Sequence, residues 1–157
     1  MKTLTPAARR STTFVARARR ILYLDASAVV KLVIEEPASD SLRAFLSGGP
    51  GASCELALTE GPRAVRRAGR TERDRRRLLR LMDEALEGLT LISLDRVVLR
   101  VAAGFEHPGL RSLDAIHIAS ALSTGSDLQA FVSYDRRQVE AAAGAGLPVV
   151  SPGVAPT

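Results

Sequence analysis

Three short apolar runs in this 157-residue chain end on an aspartate: ILYLD (residues 21–25), LTLISLD (89–95) and AFVSYD (130–135). Each leads into a stretch with helical spacing. Short strands that alternate with helices require a parallel sheet covered on both faces. In such sheets ligands bind beyond the carboxyl ends of the strands, so Asp25, Asp95 and Asp135 fall on one edge of the molecule. The simplest role for each is to cap the helix that follows. Asp25, however, follows Ile21, Leu22 and Leu24, which read as buried. A carboxylate at the edge of a core is costly unless something pairs with it.

The punctuation between these runs predicts the other elements. A helix over 27–35 ends at EEP, and a second over 38–47 stops at Gly48, Gly49 and Pro50. GAS (51–53) reads as a very short strand, and a helix from about Ser53 to Arg67 carries Pro62, which predicts a kink near Thr59–Gly61. Thr71 reads as the N-cap of a helix reaching Glu87, with Gly88 closing it. Further helices are expected over 95–104, over 112–123 with Ser112 as N-cap, and over RRQVEAAAGAG, before a last edge strand PVVS that begins at a proline.

With 46% hydrophobic residues the chain suits one domain with a proper core. It divides into a basic arm (1–20) expected to be disordered, a domain (21–152) and a tail (153–157). No apolar run approaches 18 residues, which argues against a membrane span. A single cysteine, Cys54, rules out an internal disulfide framework and fits a reducing cytoplasm. One cysteine and two histidines argue against a zinc site, so any metal has to be a hard ion held by carboxylates.

The net charge of +5 is unevenly spread. Residues 1–20 hold six basic side chains and no acid, and residues 63–80 hold nine arginines against Glu72 and Asp74. The remainder is acidic. An acidic body attracts cations, while arginine-rich segments attract phosphate.

Taken singly, the acids prove nothing: Asp114 suits the first turn of its helix, and a helical Glu60 is most often solvated. Together they carry more weight. Carboxylates converging on one cleft repel by about 4 kcal/mol per pair at roughly 4 Å and an effective dielectric near 20, so such a cluster requires a bound cation or raised pKa values. Magnesium suits a site made of carboxylates alone. A phosphoacceptor receiver domain is a poor match, because it wants an acidic pair after the first strand and a lysine near the last, and the only lysines are Lys2 and Lys31. A phosphatase with a second aspartate two residues on fails at Ser27.

The successive stretches YLDASAVVKL, EEP, ELALTEGPRAV, SLDAIHIASAL and FVSYDRR, spanning about residues 21–152, resemble the motifs of the PIN-domain ribonucleases and, more narrowly, the VapC toxins of bacterial toxin–antitoxin pairs. The resemblance implies a three-layer α/β/α fold with a central parallel sheet of four to five strands. It implies that Asp25, Glu60, Asp114 and Asp135 hold Mg2+ or Mn2+ and activate water for endoribonuclease cleavage of RNA, with Ser27 and Ser133 supporting the site. It also implies a cognate small antitoxin whose arginine enters the acidic cleft. Helices over 27–47 and 53–67 are apolar enough to form a groove for that peptide and a homodimer face.

Two departures stand out. Gly61 and Pro62 interrupt the helix after Glu60, and the basic arm precedes a strand at which family members often begin. His117, three residues after Asp114, reads as a packing or hydrogen-bonding residue, His107 as a loop residue and Cys54 as a small helix residue. Asp95 reads as a helix cap alone. Arg63 is the basic residue expected nearest the cleft, with Arg66, Arg67 and Arg70 as further RNA contacts. The rival reading is a non-catalytic PIN-like module that binds RNA or a partner without cutting.

Overall fold

The computed structural model describes residues 20–155. The basic arm, Arg20 apart, and the last two residues of the tail lie outside the described residues. The elements run β1 (Ile21–Leu24), α1 (Ala26–Lys31), α2 (Ser39–Leu46), β2 (Gly51–Cys54), α3 (Ala57–Ala68), α4 (Glu72–Glu87) and β3 (Thr90–Ile92). They continue as α5 (Arg96–Ala103), α6 (Ser112–Leu122), a 3-10 turn (Gly125–Asp127), β4 (Leu128–Val132), α7 (Arg136–Gly144) and β5 (Val149–Val150). The sheet is five-stranded with order β3-β2-β1-β4-β5, and every pairing is parallel.

The two-residue period of β1 splits the core into two layers. Leu22 and Leu24 join a cluster with Val29 of α1, Leu42 of α2, Val65 of α3 and Met82 of α4. Tyr23 joins Phe131, Cys54, Ile118 of α6 and Ala142 of α7 on the opposite face. In α4 the buried side chains are Leu78, Met82 and Leu86, one every four residues, which makes a single apolar stripe on a helix otherwise dense in charge. The third group of buried side chains sits between α5 and α6, where Val98 and Ala102 meet Ala115 and Ala119.

Several boundaries differ from the sequence expectations. The first helix stops at Lys31 rather than residue 35, because Leu32 and Val33 tighten onto the carbonyls three residues back and Ser39 Oγ donates to the Lys31 carbonyl. Ser53 and Cys54 are not helical. They extend β2, paired to Leu91 and Ile92, with Ser53 Oγ donating to the Leu24 carbonyl at 2.7 Å. The N-cap of α6 is Arg111 rather than Ser112.

The interruption expected at Gly61 and Pro62 is absent, since α3 is continuous through both. Gly61 serves packing instead. A Cβ there would lie 2.6 Å from Met82 Sδ, so only glycine lets α3 and α4 approach this closely beside Glu60.

Candidate active site

Asp25 and Asp135 follow the neighbouring strands β1 and β4, which hold Leu24 opposite Val132. Both are helix N-caps, and both face one small cavity of about 110 Å3 together with Glu60 and Asp114. Capping and site-forming are therefore the same placement rather than alternatives for these two acids. Asp95 is different: it caps α5 by accepting from the N–H groups of Val97 (2.8 Å) and Val98 (2.9 Å), and it does not line the cavity.

Asp25 is the deepest of the four, at 2% exposure. It accepts from the Ala28 N–H at 2.9 Å, from Ser27 Oγ at 2.7 Å and from Ser133 Oγ at 2.7 Å. Ser27 Oγ in turn accepts from the Tyr134 N–H, and Ser133 Oγ from the Asp135 N–H. The two serines thus tie the end of β1 to the end of β4. Burial pushes the Asp25 carboxyl above its usual range, against the nearby His117 and the hydrogen bonds from Ser27, Ala28 and Ser133.

Glu60 projects from α3 and places Oε2 2.8 Å from His117 Nε2. His117 is 1% exposed, and its Nδ1 meets the Tyr23 hydroxyl at 2.9 Å and Cys54 Sγ at 3.6 Å. Burial opposes a charge on this ring, but hydrogen bonds to Cys54 and Glu60 and the charge of Asp25 outweigh it and raise the pKa to about 10. Cys54 is thus a buried strand residue packed on the imidazole, not a helix residue.

Asp114 in α6 and Asp135 at the start of α7 are linked by Arg111, which the motifs did not single out. Its Nε donates to Asp114 Oδ2 at 3.0 Å, its Nη2 to Asp135 Oδ2 at 3.0 Å, and its backbone N–H to Asp114 Oδ2 at 3.3 Å. Gln138 lies outside the motifs' acids as well; its Nε2 donates to the Asp114 carbonyl and steadies the first turn of α6. The only local signal for Arg111 is its i,i+3 spacing to Asp114. Its second partner is 24 residues away.

The donors facing the cavity are carboxylate and hydroxyl oxygens, which suit a hard divalent ion. Among the described residues no three acidic, histidine or cysteine side chains stand close enough to hold an ion as they are arranged. Arg111 lies between two of the acids and His117 against a third, so four negative groups face two positive ones.

A groove of about 530 Å3 adjoins the cavity, sharing Ser27 and Glu60 with it and adding Lys31, Arg63, Arg67 and Tyr134. Lys31 is buried, paired with Glu36, and lies over the Tyr134 ring. Arg66 and Arg70 are exposed and do not line this groove. No helix of the described residues is long and apolar enough to cross a membrane.

The chain matches the PIN domain family model over residues 22–144. It is 41% identical over 132 residues to Ribonuclease VapC46 of Mycobacterium tuberculosis (strain ATCC 25618 / H37Rv), covering 83% of this chain and 97% of that protein. Ribonuclease VapC35 of the same strain is 38% identical over 143 residues, covering 86% and 99%. Among solved structures it is similar to PAE2754 from Pyrobaculum aerophilum, with a TM-score of 0.59 at 24% identity and 92% of each chain covered, a likeness of fold. With four acids at the ends of parallel strands and helices, and with relatives matched along nearly their whole length, the chain belongs to the PIN-domain family, among its VapC-type ribonucleases.

Proposed function

We propose that this chain is a divalent-metal-dependent endoribonuclease that hydrolyses RNA phosphodiester bonds, and that it acts in the cytoplasm as the toxin of a toxin–antitoxin pair. One observation supports it above all: Asp25, Glu60, Asp114 and Asp135 face a single small cavity beside a groove that carries Arg63 and Arg67. The four carboxylates would hold Mg2+ or Mn2+. Such an ion lowers the pKa of bound water and offsets the charge on the leaving oxygen.

The remaining tasks fall to the protein. Ser27 and Ser133 fix the Asp25 carboxylate, so its oxygens cannot turn away from the cavity. His117 fixes Glu60 from beneath. Arg63 and Arg67 offer charge-assisted hydrogen bonds to RNA phosphates, which would bring the next phosphate over the acids. In the hydrolysis itself, a water oxygen bonds to phosphorus, the bond to the leaving ribose oxygen breaks, and that oxygen takes up a proton.

An unchecked ribonuclease of this kind harms its host, so we assign it a small antitoxin. A peptide arginine suits the acidic cavity, since a guanidinium pairs well with carboxylates. The apolar parts of α1, α2 and α3 are the surfaces we assign to that peptide and to a homodimer.

The test is cleavage of structured and unstructured RNAs by purified, antitoxin-free protein, with and without EDTA, beside Asp114→Asn purified identically. Cleavage that EDTA and the variant both abolish is expected. Cleavage unchanged in EDTA rules out the metal mechanism, and no cleavage under any divalent ion favours a non-catalytic RNA- or partner-binding module.

A further inference from the structure

The Asp114–Asp135 pair is already bridged by a positive group from the chain itself. Arg111 contacts one oxygen of each carboxylate at 3.0 Å through different nitrogens. That fork spans two acids carried by different helices, α6 and α7. Asp135 also spends its other oxygen on capping α7, accepting from the Arg137 N–H at 3.0 Å. An ion bound between Asp114 and Asp135 would need the oxygens that Arg111 now occupies.

We infer that Arg111 and the metal ion occupy the Asp114–Asp135 pair alternately, with the guanidinium standing in for the ion until the ion displaces it. The inference rests on the proposed metal site. The acids are largely covered, at 13% and 25% side-chain exposure, whereas the Arg111 side chain is 61% exposed. The guanidinium therefore leans over the pair from the solvent side and can swing out without disturbing the core. Exposed ion pairs are individually weak, so the contact moderates metal affinity without blocking it. It also spares the metal-free protein most of the repulsion between the two acids. When the ion is bound, the freed guanidinium stands at the cavity mouth, where an RNA phosphate would arrive.

Mn2+ binding to full-length protein, followed by electron paramagnetic resonance without RNA, tests this independently of activity. Arg111→Gln should tighten Mn2+ binding roughly tenfold, as for removal of a competing ligand. Arg111→Lys, which keeps the charge but cannot span both acids, should tighten it by an intermediate factor. Arg137→Gln is the control: Arg137 Nε lies 3.9 Å from Asp135 Oδ1 and bridges nothing, so its loss should change affinity by much less.

In the unsubstituted protein, the Nε–H resonance of Arg111, assigned by its loss in Arg111→Lys, should move on Mg2+ addition towards the exposed arginines. Intact Mn2+ binding with equal effects of Arg111→Gln and Arg137→Gln, or an Nε–H resonance unmoved at saturating Mg2+, overturns the alternation and leaves the metal site standing. Absence of Mn2+ binding in every variant overturns both.

Discussion

His117 Nε2 lies 2.8 Å from Glu60 Oε2, joining a fully buried ring on α6 to an acid on α3 across 57 residues of sequence. The other ring nitrogen is held by the Tyr23 hydroxyl, so the imidazole has no freedom to release Glu60 by turning. His117→Gln should therefore reduce kcat by roughly 10- to 100-fold, as for loss of a partner that orients a metal ligand. KM for RNA should change far less, since the ring lies beneath the cavity rather than in the groove. A mainly KM effect would contradict the orienting role.

The same ring makes stability depend on pH. Folded His117 keeps its proton up to about 10, against an unperturbed value of 6.5. Its contribution to stability is therefore complete below about 6.5 and is lost as pH rises through about 10. Thermal melts of metal-free protein should fall over that window, and the fall should be smaller in His117→Gln. Parallel curves for the two proteins would show that the ring is neutral in the fold.

Asp25 carries the opposite sign. Burial raises its folded pKa above 3.8, so keeping it ionised at neutral pH costs stability. That cost disappears as pH falls below the unfolded value. Asp25→Asn removes the charge and keeps an acceptor for the Ala28 N–H, so the metal-free variant should melt a few degrees higher at pH 7 and lose cleavage. The gain should shrink in acid. A variant that melts lower at pH 7 would mean that the carboxylate's hydrogen bonds outweigh its desolvation.

Two SLD triplets, residues 93–95 and 112–114, look alike in the sequence but differ in place. Asp114 faces the cavity, whereas Asp95 only caps α5. Asp114→Asn should abolish metal-dependent cleavage while the protein still folds. Asp95→Ala should lose about 0.5–2 kcal/mol of stability and keep its turnover. Melts and cleavage assays of both variants check the assignment, which fails if the two activities are reversed.

RNA binding should depend on salt through the arginines that line the groove. For a single strand, the log–log salt slope should flatten by about 0.7 for every phosphate that a variant leaves unneutralised. Replacing Arg63 and Arg67 with glutamine should flatten it more than replacing the exposed Arg66 and Arg70. Equal effects would mean diffuse attraction by the whole arginine-rich stretch.

Features carried by neighbouring residues were legible in the sequence. Both ends of α4 could be read from Thr71 and Gly88, because a cap is a local device. The start of α3 could not, because Ser53 and Cys54 are strand residues only by virtue of pairing with Leu91 and Ile92. Likewise, Asp25 and its cap were visible, but its bond to Ser133 spans 108 residues and the bridge from Arg111 to Asp135 spans 24. The motifs named the acids. They did not reveal the cations that neutralise them.

The pairing of β1 with β4 has a consequence for the chain as it is made. Asp25 leaves the ribosome early, yet the partner strand and Ser133 that seat it come more than 100 residues later. Until translation passes Asp135, the acidic cavity has no second wall. A growing chain is therefore inert beside the ribosomal and messenger RNA that surround it. Expression of truncations ending before residue 128 should be harmless, and growth arrest caused by such a fragment would show that the first half of the chain acts alone.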